Sequence, residues 1–500
     1  MSKETKTVLA GNDAVDLWLQ GKDAWNKWVE ENPKAFVDFS GVNFGDIGTI
    51  NNLASISFKH FCFPDGPVFF KRAYFGQGTI SFEFSNFGDG LVSFQDATFN
   101  KSNVLFNNAS YGDGGVSFKN VMFGESSVDF GNVSFGTGDL LFTEVTFRGR
   151  AEQPIMFEGM SFGKGTIYFD NTNFENVDVA FSDSNFESRN ISFKNVMFIG
   201  GSVHFSQILL GSGFLSFENA SFEKCEFAIV HSNLGNSSIS WNDARFLSGQ
   251  FIFRHTIGNK GQFSMERVMS NIAIHLEGIQ SVENLTKLSF HHTSFENSLI
   301  LPPGCYNCVP DLRNTKITKA ITFHDIITTL KRTKKKWWEF WKVRKALDLE
   351  DASRFRRLKE LAEINRDHQA ALTYHANELR ALRWVKSSIP ASILDATFSW
   401  ASDYGQSVWR PIRAFLLMDL FFFGFYISSS SGNWIEAAKI VAANSLPFLT
   451  YSRAVQMESI QAMYGDQIPN FVTTLTFVQG IGSVVFLFLL GLGLRNRFRI

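Results

Sequence analysis

Residues 82–130 read FEFSNFGDGLVSFQDATFNKSNVLFNNASYGDGGVSFKNVMFGESSVDF, and within them an aromatic pair five residues apart returns every twelve. Working outward, the pairs run from Phe58/Phe63 through Phe70/Phe75, Phe82/Phe87, Phe94/Phe99, Phe106/Tyr111, Phe118/Phe123 and Phe130/Phe135 to Phe142/Phe147. After a three-residue slip the register resumes from Phe157/Phe162 to Phe217/Phe222, then fades at Ile229/Leu234, Trp241/Phe246 and Phe253. A period this strict predicts a solenoid, in which each coil buries its apolar side chains only by stacking on its neighbours. Roughly nine coils at the ~4.8 Å spacing of β-strands predict a rod of about 40 Å.

A small residue stands two places before many of the phenylalanines, as in Ala97-Thr-Phe99, Val116-Ser-Phe118, Val121-Met-Phe123, Val133-Ser-Phe135 and Ala220-Ser-Phe222. This pattern resembles the pentapeptide-repeat family, and the resemblance implies a right-handed quadrilateral β-solenoid. The units alternate five and seven residues, so a four-sided coil takes about 24 residues where the family's takes about 20. Gly-rich inserts, Gly88-Asp-Gly90, Gly112-Asp-Gly-Gly115 and Gly136-Thr-Gly138, fall where a corner needs positive φ or a bulge.

The formal net charge of −1 conceals segregation along the chain. Residues 34–300 carry 17 Lys+Arg against 26 Asp+Glu, whereas residues 331–386 carry 16 against 8. Four cysteines and no apolar N-terminal signal segment point to a reducing cytosolic setting for the first part, with Cys62 and Cys225 read as core thiols.

Before the repeats, Asp13 is placed to cap an amphipathic helix over residues 13–31 carrying Leu17, Trp18, Trp25, Trp28 and Val29 and ending at Pro33. It resembles the leader of many pentapeptide-repeat proteins and reads as an N-terminal cap (1–34) on a solenoid spanning 35–325. A partner-binding helix is the alternative. Phe290-His-His-Thr-Ser-Phe295 and Val309 to Ile317 look like late repeat faces. His291, His292, Cys305 and Cys308 are residues of zinc-ligand type, but one Cys-x-x-Cys pair is weak support, and the preferred reading is a loop with surface histidines, with no metal and no cofactor.

Residues 326–404 join the solenoid to the C-terminal part of the chain. Lys334, Lys335, Lys336, Trp337, Trp338 and Trp341 combine cations with indoles, which suits the interface of a lipid bilayer; a nucleic-acid patch is the alternative. Residues 351–386 predict one long helix with Phe355, Leu358, Leu361, Ala362, Ala371 and Tyr374 at helical spacings, and His368 and His375 on a shared face. The segments 353–363, 367–371 and 378–383 resemble the helical linker of a bacterial pentapeptide-repeat subgroup that carries membrane spans.

Residues 405–500 read as a membrane domain. Phe471 to Leu494 are 24 residues without a charge, enough to cross a bilayer of about 30 Å. An earlier span, about 413–429, includes Asp419. Arg410, Arg413 and the run Arg495-Asn-Arg-Phe-Arg499 place both ends in the cytoplasm. Between the spans, residues 434–448 have the length of a re-entrant pore helix, giving a two-helix transmembrane hairpin of the order used by two-span cation channels. The Tyr404 to Pro411, Asn444 to Phe448 and Gly493 to Ile500 segments resemble the membrane region of the same subgroup, so the resemblance covers nearly the whole chain.

No catalytic motif is present in a recognisable frame, which sets enzymes aside. The expectation is an oligomeric bacterial inner-membrane ion channel with cyclic symmetry, its cytoplasmic solenoid sensing a protein or ligand or organising the assembly. Asp419, Thr473, Thr476, Gln479 and Ser483 are the expected pore-facing residues, with Glu436 and Lys439 near the outer mouth. The competing reading is a membrane-tethered scaffold with a non-conducting anchor. A DNA mimic, as in pentapeptide-repeat proteins that protect DNA gyrase, is disfavoured because the acidic excess is spread thinly along the whole of 34–300.

Overall fold

Val68 lies beside Val92, Val92 beside Val116 and Val116 beside Leu140, so successive coils are in parallel register. The same period carries side chains as well as backbone, since Asn120 Nδ2 donates to Asp96 Oδ1 (2.8 Å) at a sequence separation of 24. The next step, Leu140 to Ile167, absorbs the three-residue slip; the regular step then returns at Ile191, Leu215, Ile239 and Phe263. In this computed structural model, residues 7–149, 154–186, 189–258, 260–276, 278–319, 321–322, 325–334, 343–429, 433–465 and 468–498 are described. They form two compact units, Met1–Thr329 and Leu330–Ile500.

Each regular turn of the first unit contributes a short strand or bridge to each of four parallel stacks, represented in one turn by Ile80, Asn86, Val92 and Thr98. The longest stack holds twelve strands, and a bridge from Ser289 to Asp311 adds a rung. That exceeds the nine coils expected from phenylalanine alone, and at ~4.8 Å per strand the twelve span about 53 Å. Counting rings ends too early because the inward positions continue as Met265, Leu276, Leu288, Phe290, Leu299 and Leu301, all buried.

Inside, the phenylalanines form columns. Along Phe70, Phe94, Phe118 and Phe142 the centroids are 4.9, 5.0 and 4.8 Å apart and within 3° of parallel. The column through Phe82, Phe106 and Phe130 repeats at 5.0 and 4.8 Å and meets the first edge-on, as in Phe106–Phe118 at 5.5 Å and 80°. Offset stacking and edge-to-face contact are the arrangements that ring quadrupoles favour.

The corners follow the same period. Asp96, Asn108, Asn120 and Asn132 all have φ between +54° and +59°, and the Ala97 N–H donates to the Phe94 carbonyl (3.0 Å), closing a turn with a left-handed third residue. The small residue that follows, Ala97 or Val121, is buried beneath that turn. Of the positive φ or bulge expected at the Gly-rich inserts, Gly115 takes a positive φ of +81°, whereas Gly114 serves close coil approach, since a Cβ there would lie 2.3 Å from the Gly90 carbonyl carbon. Arg189 stands at the comparable corner, buried, with Nε donating to the Gly163 carbonyl (2.9 Å) and Nη2 to those of Gly136 (2.5 Å) and Gly138 (3.2 Å). Burial pulls its guanidinium down to about 10.

The expected N-terminal helix is two, α1 (Gly11–Leu19) and α2 (Lys22–Glu31), because Gly21 at φ +92° breaks it. Trp18 Nε1 donates to the Ser57 carbonyl (3.0 Å) and Trp25 Nε1 to that of Cys62 (2.8 Å), while the Asn26 Oδ1 accepts from Cys62 N–H (2.8 Å). These contacts occupy backbone groups that an open strand edge would expose. A short α3 (Phe44–Ile50) follows within the first coils.

In the second unit the long helix expected over 351–386 is a hairpin of α4 (Asp351–Ile364) and α5 (His368–Leu382). Arg366 turns left-handed at φ +60°, and Asp367 caps α5 by accepting from Ala370 N–H (3.0 Å). After α6 (Ile389–Ser402) come α7 (Trp409–Ser428), α8 (Trp434–Ser445), α9 (Thr450–Tyr464) and α10 (Asn470–Phe498). Both α7 and α10 are long and apolar enough to cross a membrane. Neither α6 nor α9 is among the elements expected from the sequence, and α8 stops at Ser445, three residues short of its expected end.

Phe118 is fully buried between two ring neighbours of its own column. Phe118→Ala should therefore cost about 3–5 kcal/mol. Chemical unfolding of the full-length protein, followed by loss of β-sheet signal, measures this, and Gly114→Ala is expected to destabilise through its clash.

Candidate functional site

The helices α7, α8 and α10 bring together a polar group that no single segment announces. Asp419, on α7, is half-buried; its Oδ2 accepts from the Ser445 hydroxyl of α8 (2.9 Å) and its Oδ1 from Gln479 Nε2 of α10 (3.2 Å). Gln479 is fully buried and uses its whole hydrogen-bonding capacity. Its Nε2 also donates to the Val441 carbonyl (3.4 Å), and its Oε1 accepts from Asn444 Nδ2 (2.9 Å) and the Tyr426 hydroxyl (3.3 Å). The amide's orientation is fixed by acceptors on one side and donors on the other.

An apolar layer surrounds this network. Phe422, Tyr426, Ala437, Ile440, Val441, Ile460, Met463 and Val472 form one core. The approach of α10 to α7 is close at Gly482, where a Cβ would meet Met418 Sδ at 2.6 Å. Small residues at such crossings let helices pack without a large apolar driving force.

The five expected pore-facing residues divide. Asp419 and Gln479 meet directly. Thr476 and Ser483 are buried on the face carrying Gln479, but their hydroxyls turn back to their own helix, donating to the carbonyls of Thr473 (2.9 Å) and Gln479 (2.9 Å). Thr473 is exposed and, with Thr476, Phe477, Pro447, Arg453 and Val484, lines a cleft of about 650 Å³. Glu436 and Lys439 pair on α8 at 2.9 Å. Tyr426, Asn444 and Ser445 belong to the network without having stood out as site residues; the signal available was an Asn-Ser pair closing an apolar helix just before Pro447.

Of the expected interface residues, Lys334 is exposed on a short arm whose Thr333 N–H donates to the Lys345 carbonyl (2.8 Å). Lys335, Lys336, Trp337, Trp338 and Trp341 lie outside the described residues. His368 and His375 share one small cleft with Lys359, Glu363 and Asn496, as their spacing implied. The zinc alternative gains nothing: among the described residues no three His, Cys, Asp or Glu side chains are grouped to hold a metal ion. His292 instead contacts Asn314 Nδ2 (3.3 Å), and no disulfide joins any of the four cysteines. Burial pushes the Cys225 thiol up to about 12, which makes it a packing group rather than a nucleophile.

Comparison of the chain with protein-family models, with characterised proteins and with solved structures finds no match in any of the three.

Gln479→Leu removes the centre of the network and leaves Asp419, Asn444 and Tyr426 short of a partner. Each buried group so orphaned costs about 1–3 kcal/mol. The thermal midpoint of the helical unit in mild detergent should fall accordingly, and by more than for Thr473→Leu, whose side chain is exposed.

Proposed function

We propose that this chain is a subunit of an oligomeric ion channel of a bacterial inner membrane, with α7 and α10 crossing the bilayer and Asp419 as the cation-attracting group of the path. The supporting observation is the Asp419 carboxylate, set within an apolar helix and held by two neutral donors, Gln479 and Ser445, with no cation pairing to it among the described residues. A carboxylate inside a membrane is expensive and is retained where it faces a protein interior or an aqueous path. The path would run beside the Asp419–Gln479 pair and the Thr473-lined cleft, with Glu436 and Lys439 toward the outer mouth. Two spans cannot enclose a conduit alone, so cyclic association is required.

On this reading both termini are cytoplasmic, and the first unit is a right-handed four-sided solenoid capped by α1 and α2. Its sides are the surface for a cytoplasmic protein or ligand; no catalytic role and no nucleic acid is assigned to them.

One observation favours the scaffold reading instead. Thr476, Gln479 and Ser483 are satisfied within one chain, as expected of helices that only anchor.

Single-channel recording from purified protein in planar bilayers separates the two. The channel reading expects discrete cation currents that Asp419→Asn reduces several-fold while insertion is unchanged. Silence of inserted wild-type protein across voltage and tension favours the anchor.

A further inference from the structure

The approach to α7 gathers more positive charge than its carboxylates balance. Arg380 pairs with Asp403 and lies over the Tyr404 ring at 5.2 Å, and Arg410 reaches the same Asp403 at 3.1 Å. Arg383 holds Asp395 at 2.5 Å and donates to the Tyr404 hydroxyl at 2.7 Å. Two carboxylates thus serve three guanidiniums. A fourth, Arg332, is half-buried beside them, and among the described residues no carboxylate pairs with it. Burial, together with the like charges of Arg383, Arg380 and the exposed Arg344, holds Arg332 below the usual arginine range. A partly desolvated cation among cations is unfavourable until an anion joins them.

The backbone keeps this group assembled. Arg332 bridges Ala346 in a short antiparallel ladder, which Leu330 and Ala346 seat against Ala352, Ala381 and Leu382 of α4 and α5. In the turn from α6 to α7, Asp403, Tyr404 and Gly405 are successively left-handed, at φ +54°, +56° and +76°. Two non-glycine residues in that conformation carry a cost that surrounding contacts must offset. Their contacts include these arginines, together with Phe398 edge-on to Tyr404 and the Ser399 carbonyl accepting from Asp403 N–H.

We propose that Arg332, with Arg344 and the neighbouring Arg380 and Arg383, binds the phosphate of an anionic lipid headgroup. Guanidinium forks match phosphate oxygens in pairs, and a phosphate would supply the charge that Asp395 and Asp403 leave unbalanced. The inference rests on the membrane reading above, in which the start of α7 lies at headgroup depth on the cytoplasmic side, where anionic lipid concentrates.

The test uses full-length protein in nanodiscs of phosphatidylcholine containing a minority of phosphatidylglycerol. Native mass spectrometry counts the lipid retained after extraction, and vesicle flotation is run on the same preparations. Wild type is expected to retain phosphatidylglycerol; R332Q and R344Q should lose it by at least about tenfold, Arg332→Lys should be intermediate, and flotation should not change. Arg344 is exposed, so its replacement leaves the fold intact. Equal retention by wild type and both glutamine variants overturns the site. Displacement of the lipid by inorganic phosphate at equal concentration overturns the lipid assignment in favour of a soluble phosphate. Wild type that does not float even on phosphatidylcholine vesicles overturns the membrane reading, and this site with it.

Discussion

The ~4.8 Å distance between hydrogen-bonded parallel strands governs everything in the first unit. Because the coils are in register, each side chain sits one strand spacing from its counterpart in the next coil. For benzene rings that distance is within the favourable range of offset stacking, so a column of phenylalanines needs no distortion. The same spacing builds polar ladders outside, such as Asn171–Asn195–Asn219 with amide contacts of 3.0 and 2.8 Å. It also dictates where side chains are excluded, as at Gly114. A coil has no other source of cohesion than its two neighbours, so stability accumulates along one dimension and an uncovered end would be its weakest point. Trp18, Trp25 and Asn26 meet the first coil's backbone where that weakness would lie.

What is legible in the chain follows from this constraint. Phenylalanine at a fixed period marks inward positions, and inward positions with their following strands define the coil. The period misleads only where chemistry changes without geometry changing: Met265, Leu276 and Leu301 fill the same places without aromatic rings, so a coil count based on rings falls short. Helix breaks are harder to see. Gly21 is a visible signal inside an otherwise continuous pattern, whereas Asn365-Arg-Asp367 looks like ordinary helical surface until Asp367 is recognised as a cap. The polar network is half legible. Asp419 and Gln479 stand out as polar residues in apolar runs, but their pairing across 60 residues of sequence depends on tertiary packing, as does the role of Asn444.

In the second unit, polar groups and apolar helices make opposing demands. Gln479 reconciles them by serving two donors and two acceptors at once, which ties Asp419 to helices whose other facing residues form an apolar core. That arrangement is rigid where it is satisfied and electrostatically exposed at one point, the carboxylate. At the start of α7 the imbalance has the opposite sign, with arginines outnumbering their partners. On the proposed membrane reading, the acidic group would lie within the bilayer and the basic collar at its cytoplasmic face.

The most direct test of this arrangement is topology, read with a membrane-impermeant maleimide on intact spheroplasts. Cys305 is exposed on the solenoid unit and Lys439 lies on α8 between the two apolar helices, so on the proposed two-span arrangement wild type and Lys439→Cys would report opposite sides. Labelling of Lys439→Cys is predicted in intact cells, with Cys305 labelled only after permeabilisation. Labelling of both positions only after permeabilisation, with the protein recovered in the soluble fraction, would contradict a membrane-spanning arrangement.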